Sequence, residues 1–459
     1  MPDLRLTEIA KVLDAELINF RKEMTFKDYL FDSRLLENKP SLFFALINKN
    51  DDGHNYLSKL SNKKGIAAVV SEDVKNIDFP LIKVKDTREA YLKLASYVRK
   101  KHKRTKYIAV TGSAGKTTTK EFIHDILSTK YKVYKSHKNW NNWLGLPFSL
   151  LKMDNEPDFA VFELAMSDPG IGEINSLSNI LKPDISIVLN ILPVHLEFLK
   201  TIENVAKAKA EVFNHMSSDS IGFFNGDSKE LKNILKARKF NKVSFGKSKS
   251  NDIVLKSIDN LGEKRLIKTE FYGIEEEFVT NLKLQTHIEN LFNAIIVSKS
   301  CCMKNFEIQD AISNLKPYES RGEIINKKGY TIINETYNSN PEALKKVLEW
   351  VVNEYKNKSK IAVIGDMYEL GKDEVKFHKE IGDFINKLNY KKIITVGKLA
   401  KKIRERLIKL NYPEEDVLYA ENSIQAGELL KKIAKKGDVV ILKGSRGVKL
   451  EKAIEEFLK

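Results

Sequence analysis

The stretch "VTGSAGKTTTKEF" at residues 110–122 decides how the rest of the chain is read. An apolar run, "YIAVT" (107–111), leads into it. Beyond it Phe122, Ile123, Ile126 and Leu127 fall on one face of a helix that begins near Lys116. Strand, glycine-rich turn, helix is the context a phosphate-binding loop requires. The loop is short: Gly112 and Gly115 enclose only Ser113 and Ala114, where the Walker pattern has four residues before its Gly-Lys pair. Backbone N–H groups from Gly112 to Thr118 can still surround a phosphate. Lys116 adds a point charge for the β- and γ-oxygens, and the Thr117 hydroxyl suits Mg²⁺. The expected ligand is ATP or a close relative.

Working outward, apolar runs of buried-strand length alternate with helical stretches, the pattern of an α/β protein with mostly parallel sheets. Three regions differ in texture. Residues 1–103 hold "SLFFALI" (41–47), "GIAAVV" (65–70) and "PLIKV" (80–84), which suggest a small α/β domain. The basic stretch 98–106 is expected to link it to the next. Residues 104–319 hold the phosphate loop and the runs "DFAVFELA" (158–165), "DISIVLN" (184–190) and "SIGFFN" (220–225), a central ATP-binding domain. Residues 320–459 hold "YTIIN" (330–334), "KIAVIGD" (360–366), "KIITVG" (392–397) and "DVVILKG" (438–444), which read as a doubly wound, Rossmann-like domain. Lys443, Ser445 and Arg446 then belong at a carboxyl sheet edge, where such sheets bind ligands.

The 459 residues fit two to four domains. Seventy-eight Lys+Arg against 62 Asp+Glu give a net charge of +16. Basic runs such as 98–107 lack interleaved aromatics, so an anionic small molecule suits the charge better than a specific nucleic acid. No apolar run approaches the ~20 residues of a membrane span, and the amino-terminal segment lacks the apolar core of a signal peptide. A cytoplasmic location is expected, and Cys301 and Cys302, being adjacent, read as reduced thiols.

Taken singly, Glu163 reads as a solvated carboxylate, His195 as a packed or solvent-facing histidine, and Lys209 as a surface lysine. Their order changes the reading. "TGSAGKTTT", "HKNWNNWLGLP" (137–147), "FELAMSDPGIGEI" (162–174), "NILPVHLE" and "AKAKAEVF", followed by "INETYNSNP" (333–341), "IGDMYELG" (364–371) and "LKGSRG" (442–447), resemble the Mur ligase family of ATP-dependent amide-forming enzymes. The short loop is that family's own form. Tyr337, Asn338, Asn340 and Pro341, with "GDMYELG", resemble the branch that adds D-alanyl-D-alanine to UDP-N-acetylmuramoyl-tripeptide through an acyl phosphate.

The resemblance implies three domains: UDP-sugar-binding, ATP-binding, and one that binds the incoming dipeptide and closes over ATP. It implies two Mg²⁺ ions, held by Thr117, Glu163, His195 and a carbamoylated Lys209. Lys116 and Arg321 would contact the ATP phosphates, and Asn290, Asn293 and Glu335 the nucleotide. Ser33 and Arg34 would meet the UDP-sugar. Asn139, Asn141, Asn142, Tyr337, Asn338, Asn340, Lys443, Ser445 and Arg446 would meet the peptide substrates. Two positions depart from the family pattern: Glu289 stands where many members have His, and Glu335 where they have Asp. The alternatives are another ligase of the superfamily or an idle member that binds a UDP-peptide. A monomer is expected.

Overall fold

The computed structural model describes residues 3–48, 51–61, 63–137, 139–153, 156–166, 171–236, 238, 240–318 and 320–459. Three larger sheets carry the chain. The amino-terminal sheet has five strands in the order Glu16–Ile18, Leu81–Lys83, Ile66–Val70, Ser41–Phe44, Asp28–Leu30. Only the first pairing is antiparallel. The apolar runs at 41–47, 65–70 and 80–84 supply its middle.

The central sheet has nine strands and places Lys106–Thr111 between Phe159–Glu163 and Ile185–Val188, all parallel. This is a topological switch point, and the phosphate loop leaves the sheet there. Connections on either side depart to opposite faces, which opens a crevice at the carboxyl edge. Beyond Ile221–Asn225 and Asn241–Gly246, the last three strands, Ile253–Leu261, Lys264–Phe271 and Ile274–Thr280, pair antiparallel with one another. Turn glycines at Gly262 and Gly273, both at positive φ, join them. In the last sheet Val439–Lys443 lies between Tyr330–Glu335 and Lys360–Gly365, again parallel. Its crevice faces that of the central sheet.

The basic stretch 98–106 divides: its first four residues finish a helix, 102–105 connect, and Lys106 opens the next strand. Thr87–Lys101 is one helix, with the Asp86 side chain accepting from Glu89 N at 2.9 Å and Arg99, Lys100 and Lys101 in its last turn. An acceptor at the start and cations at the end both stabilise a helix, so the basic cluster terminates it rather than breaking it. Val98 is fully buried. The same helix anchors the amino-terminal sheet to the central one: Tyr91 Oη donates to Leu144 O at 3.0 Å and Arg99 Nε to Leu181 O at 2.7 Å. One hydrophobic core runs continuously from Leu4 to Leu235 across both regions.

The carboxyl-terminal sheet has separate cores on its two faces. Its meeting with the central region includes polar contacts: Arg265–Glu354 at 2.6 Å, Lys346–Glu289 at 3.3 Å and His195–Glu369 at 2.8 Å. Continuous apolar packing resists relative motion, whereas a polar junction permits it. The amino-terminal and central regions therefore share one core, and the last domain meets them across a partly polar junction.

Candidate active site

The phosphate loop is shaped by its two glycines. Gly112 has φ +155° and Gly115 φ +82°. A Cβ at Gly115 would lie 2.2 Å from Asn290 Oδ1, so the loop and the helix Gln285–Ser300 touch through a position only glycine allows. Asn190, just past the strand Ile185–Val188, clasps the loop: its Oδ1 accepts from Ala114 N at 2.9 Å and its Nδ2 donates to Ala114 O at 3.1 Å. Asn190 was not singled out in the sequence, although it ends the quoted run "DISIVLN".

Lys116 heads the helix Lys116–Leu127, and its Nζ donates to Gly112 O at 2.9 Å. Burial lowers its pKa; the nearby Glu163 carboxylate opposes that shift and Arg321 reinforces it. Glu163 is the last residue of its strand, only 2% exposed. It accepts from Thr117 Oγ1 at 2.6 Å and from Asn141 Nδ2 at 2.7 Å. Both partners are neutral. A buried carboxylate with neutral partners beside a hydroxyl is a hard oxygen set that suits a divalent cation.

Lys209, expected on the surface if taken singly, is 1% exposed in the last turn of the helix Ile202–Ala210. Burial, helped by the charge of Lys116, drives its pKa down to about 7. Much of it is then neutral amine near pH 7, the form that reacts with CO₂ to give a carbamate. His195 adopts φ +54° at the start of the turn Leu196–Leu199. Its Nδ1 is buried and lies 2.8 Å from Glu369 Oε2 as an ion-pair contact without hydrogen-bond alignment, and it has no hydrogen-bond partner among the described residues. Thr117, Glu163 and His195 thus bring a hydroxyl, a buried carboxylate and an imidazole to one cleft, donors that suit a divalent cation, and Lys209 would join them only as a carbamate. Another cluster, Asp52, His54 and Glu72, is accounted for differently. His54 Nδ1 meets Asp52 Oδ1 at 2.7 Å and its Nε2 accepts from Ser71 N at 3.0 Å, so both nitrogens are used.

From the last domain, Arg321 stacks on the Tyr337 ring at 3.7 Å, and Arg446 lies 5.8 Å from the other arginine's ring partner. Arg321 has no ion pair among the described residues. An unpaired guanidinium facing the phosphate-loop lysine is an arrangement that awaits a polyanion.

One cleft of about 480 Å³ collects most of the expected residues. From the central domain come Ser113 to Thr118, Asn139, Asn141, Glu163, His195 and Asn290. From the last domain come Arg321, Glu335, Tyr337, Asn338, Asn340, Lys443, Ser445 and Arg446. Gly112, Asn142, Lys209 and Asn293 do not line it. Ser33 and Arg34 lie on the amino-terminal domain, where Asp32 grips the Arg34 guanidinium at 2.7 Å and leaves it exposed. Lys138 and residues 167–170, which belong to segments quoted above, and Glu319, at the expected domain boundary, lie outside the described residues.

Several of these side chains have local work as well. Asn340 Oδ1 accepts from Ala343 N at 2.9 Å and caps the helix Pro341–Glu354, with Pro341 in its first turn. Asn142 Oδ1 accepts from Gly145 N at 2.9 Å at the head of Gly145–Leu151. Glu335 and Lys443 pair with each other at 2.6 Å. Glu289, the departure from the family pattern, bridges Lys247 at 2.8 Å and Lys346 at 3.3 Å, linking the central and last domains.

Sequence profiles of the Mur ligase middle domain and of the Mur ligase glutamate ligase domain match residues 110–298 and 320–446. The UDP-N-acetylmuramoyl-tripeptide–D-alanyl-D-alanine ligase of Bacillus subtilis is 32% identical over 98% of this chain and 97% of its own. The chain belongs to the Mur ligase family. The ligase of the same name from Rickettsia prowazekii is 32% identical over 91% of this Mur ligase and 92% of its own length. The fold is that of MurF from Acinetobacter baumannii, with a TM-score of 0.87 at 23% identity over 100% of both chains. MurF ligase from Thermotoga maritima, solved in complex with ADP, has a TM-score of 0.82 at 26% identity, over 94% of this chain and 97% of its own. Among the described residues, no helix of this Mur ligase is long and apolar enough to cross a membrane.

Proposed function

We propose that this Mur ligase joins D-alanyl-D-alanine to UDP-N-acetylmuramoyl-tripeptide with ATP, in the synthesis of peptidoglycan precursors. The observation that carries this reading is the single cleft in which Lys116 and Glu163 of the central domain face Arg321 and the Tyr337–Asn340 signature of the last domain. The names of the curated relatives in Bacillus subtilis and Rickettsia prowazekii support the same acceptor and dipeptide.

A carboxylate is a poor acyl donor, because its leaving group would be oxide. Lys116 and Arg321 hold the γ-phosphate while a tripeptide carboxylate oxygen attacks phosphorus and ADP departs. Their charge offsets the repulsion between two anions. The dipeptide amine then adds to the acyl carbon, inorganic phosphate leaves with the C–O bonding pair, and the nitrogen loses its proton. Arg446 and Ser445 orient the dipeptide at the carboxyl edge of the last sheet. Ser33 and Arg34 hold the UDP-sugar on the amino-terminal domain, and Asn139 and Asn141 steady the reacting carboxylate. Thr117 and Glu163 would hold one Mg²⁺, and His195 with a carbamoylated Lys209 would hold a second. Bound there, the ions supply Lewis-acid neutralisation of the phosphoryl oxygens. The acceptor is linked to a soluble nucleotide, the dipeptide is itself soluble, and no described helix is long and apolar enough to cross a membrane, which supports a cytoplasmic enzyme; a monomer is proposed with it.

The test is phosphate release from ATP with each substrate varied. Release that requires both UDP-N-acetylmuramoyl-tripeptide and D-alanyl-D-alanine, and is lost in Lys116→Ala, is expected. Release with a different amine or UDP-peptide would move the activity to another branch. Silence with every pair would leave a binding protein.

A further inference from the structure

We infer that Glu369 is a positioning residue for His195, delivered across the domain junction to set which imidazole nitrogen faces a divalent cation. The inference rests on the metal reading of His195 given above. It starts from a loop, residues 366–371, at the carboxyl end of the strand Lys360–Gly365.

That loop is held from three sides. Asp366 Oδ1 accepts from Ala400 N at 2.7 Å, Met367 N donates to the buried His378 Nε2 at 3.0 Å, and Tyr368 N donates to Ser445 Oγ at 3.0 Å. Its tip residue, Glu369, has φ +64°. The residue it meets, His195, has φ +54°. Side chains other than glycine's adopt this left-handed region reluctantly, and two such residues from different domains meet here at 2.8 Å. Next to them, a Cβ on Gly371 would lie 3.0 Å from Glu197 Cα, so the loop sits directly on the turn that presents His195.

The chemistry gives this contact a purpose. His195 Nδ1 is buried and has only Glu369 to meet it among the described residues, which leaves Nε2 as the nitrogen available to a ligand. A carboxylate beside one imidazole nitrogen keeps the proton there, so the other nitrogen offers its lone pair. The Glu369 side chain is itself 62% exposed, unlike a carboxylate buried to fasten a core. It arrives with the last domain, so the histidine is oriented when that domain is docked on the central one. An ordinary surface ion pair would place the same atoms together but would not change metal affinity.

Mn²⁺ binding to the full-length protein, followed by electron paramagnetic resonance with a non-hydrolysable ATP analogue and UDP-N-acetylmuramoyl-tripeptide, tests this. The wild type is expected to bind two ions. Glu369→Ala should weaken one of them by about 10- to 100-fold. Glu369→Gln, whose amide oxygen can still accept from Nδ1–H, should recover part of the loss. In a His195→Ala background, Glu369→Ala should change nothing further. Unchanged Mn²⁺ affinity in Glu369→Ala would overturn the inference, as would a further loss in the His195→Ala background. A wild type that binds only one ion would bring down the metal reading itself. Two ions bound with wild-type affinity at both sites of Glu369→Ala would bring down this inference alone.

Discussion

Lys209→Met should stabilise the unliganded protein while abolishing ligation. Lys209 is 1% exposed, and burial takes its pKa from 10.5 to about 7. In the unfolded chain the amine keeps its ordinary value, so the unfolded state binds more protons between pH 7 and 10.5. Folding is therefore penalised fully below about pH 7, and the penalty fades as pH rises towards 10.5. That penalty is at most ~5 kcal/mol. Methionine is of similar length, carries no charge and packs well in irregular cores. The assay is thermal unfolding of both proteins from pH 6 to 10 in buffer stripped of CO₂ and divalent metal. The variant should melt higher at pH 6–7, with the gap closing towards pH 10, and it should form no product. A variant that melts lower than wild type at pH 7 with no pH trend would show that Lys209 is not a buried, titrating amine. The reasoning above would then fail.

Gly115→Ala forces φ +82° on a side chain and drives its Cβ to 2.2 Å from Asn290 Oδ1. ADP affinity by calorimetry should fall by about tenfold or more, since left-handed strain alone costs roughly 1–2 kcal/mol. Tyr337→Phe keeps the ring that stacks on Arg321 at 3.7 Å and should retain kcat. Tyr337→Leu should lose roughly tenfold in kcat, from a cation–π contact of about 1–2 kcal/mol; equal losses in both variants would point to the hydroxyl instead. Asn340→Asp should keep the helix cap that accepts from Ala343 N, whereas Asn340→Ala should cost about 1 kcal/mol in urea unfolding. Identical midpoints would mean the cap is dispensable.

What the sequence determined alone was local. Gly112, Gly115, Lys116 and Thr117 announce a phosphate loop because backbone freedom, charge and hydroxyl are properties of neighbouring residues. The alternation of apolar runs announces α/β sheets for the same short-range reason. The antiparallel end of the central sheet escaped that reading, because its strands at 253–280 are interspersed with charged residues and lack a long apolar run. Charge alone cannot tell a helix end from a loop, so the basic stretch 98–106 does not disclose that 98–101 finish a helix and only 102–105 connect.

Other features exist only in three dimensions. Lys209 reads as a surface lysine until the helix that carries it is packed against the central sheet, and only that burial moves its proton equilibrium. Asn190 and Asn290 reach the phosphate loop from 76 and 171–175 residues away along the chain, and Glu369 reaches His195 from another domain. Such pairings depend on strand order and domain docking, which are set by the fit of whole surfaces. Residue spacing records what one segment can do; the tertiary structure decides which segments meet, and at this site the meeting is the chemistry.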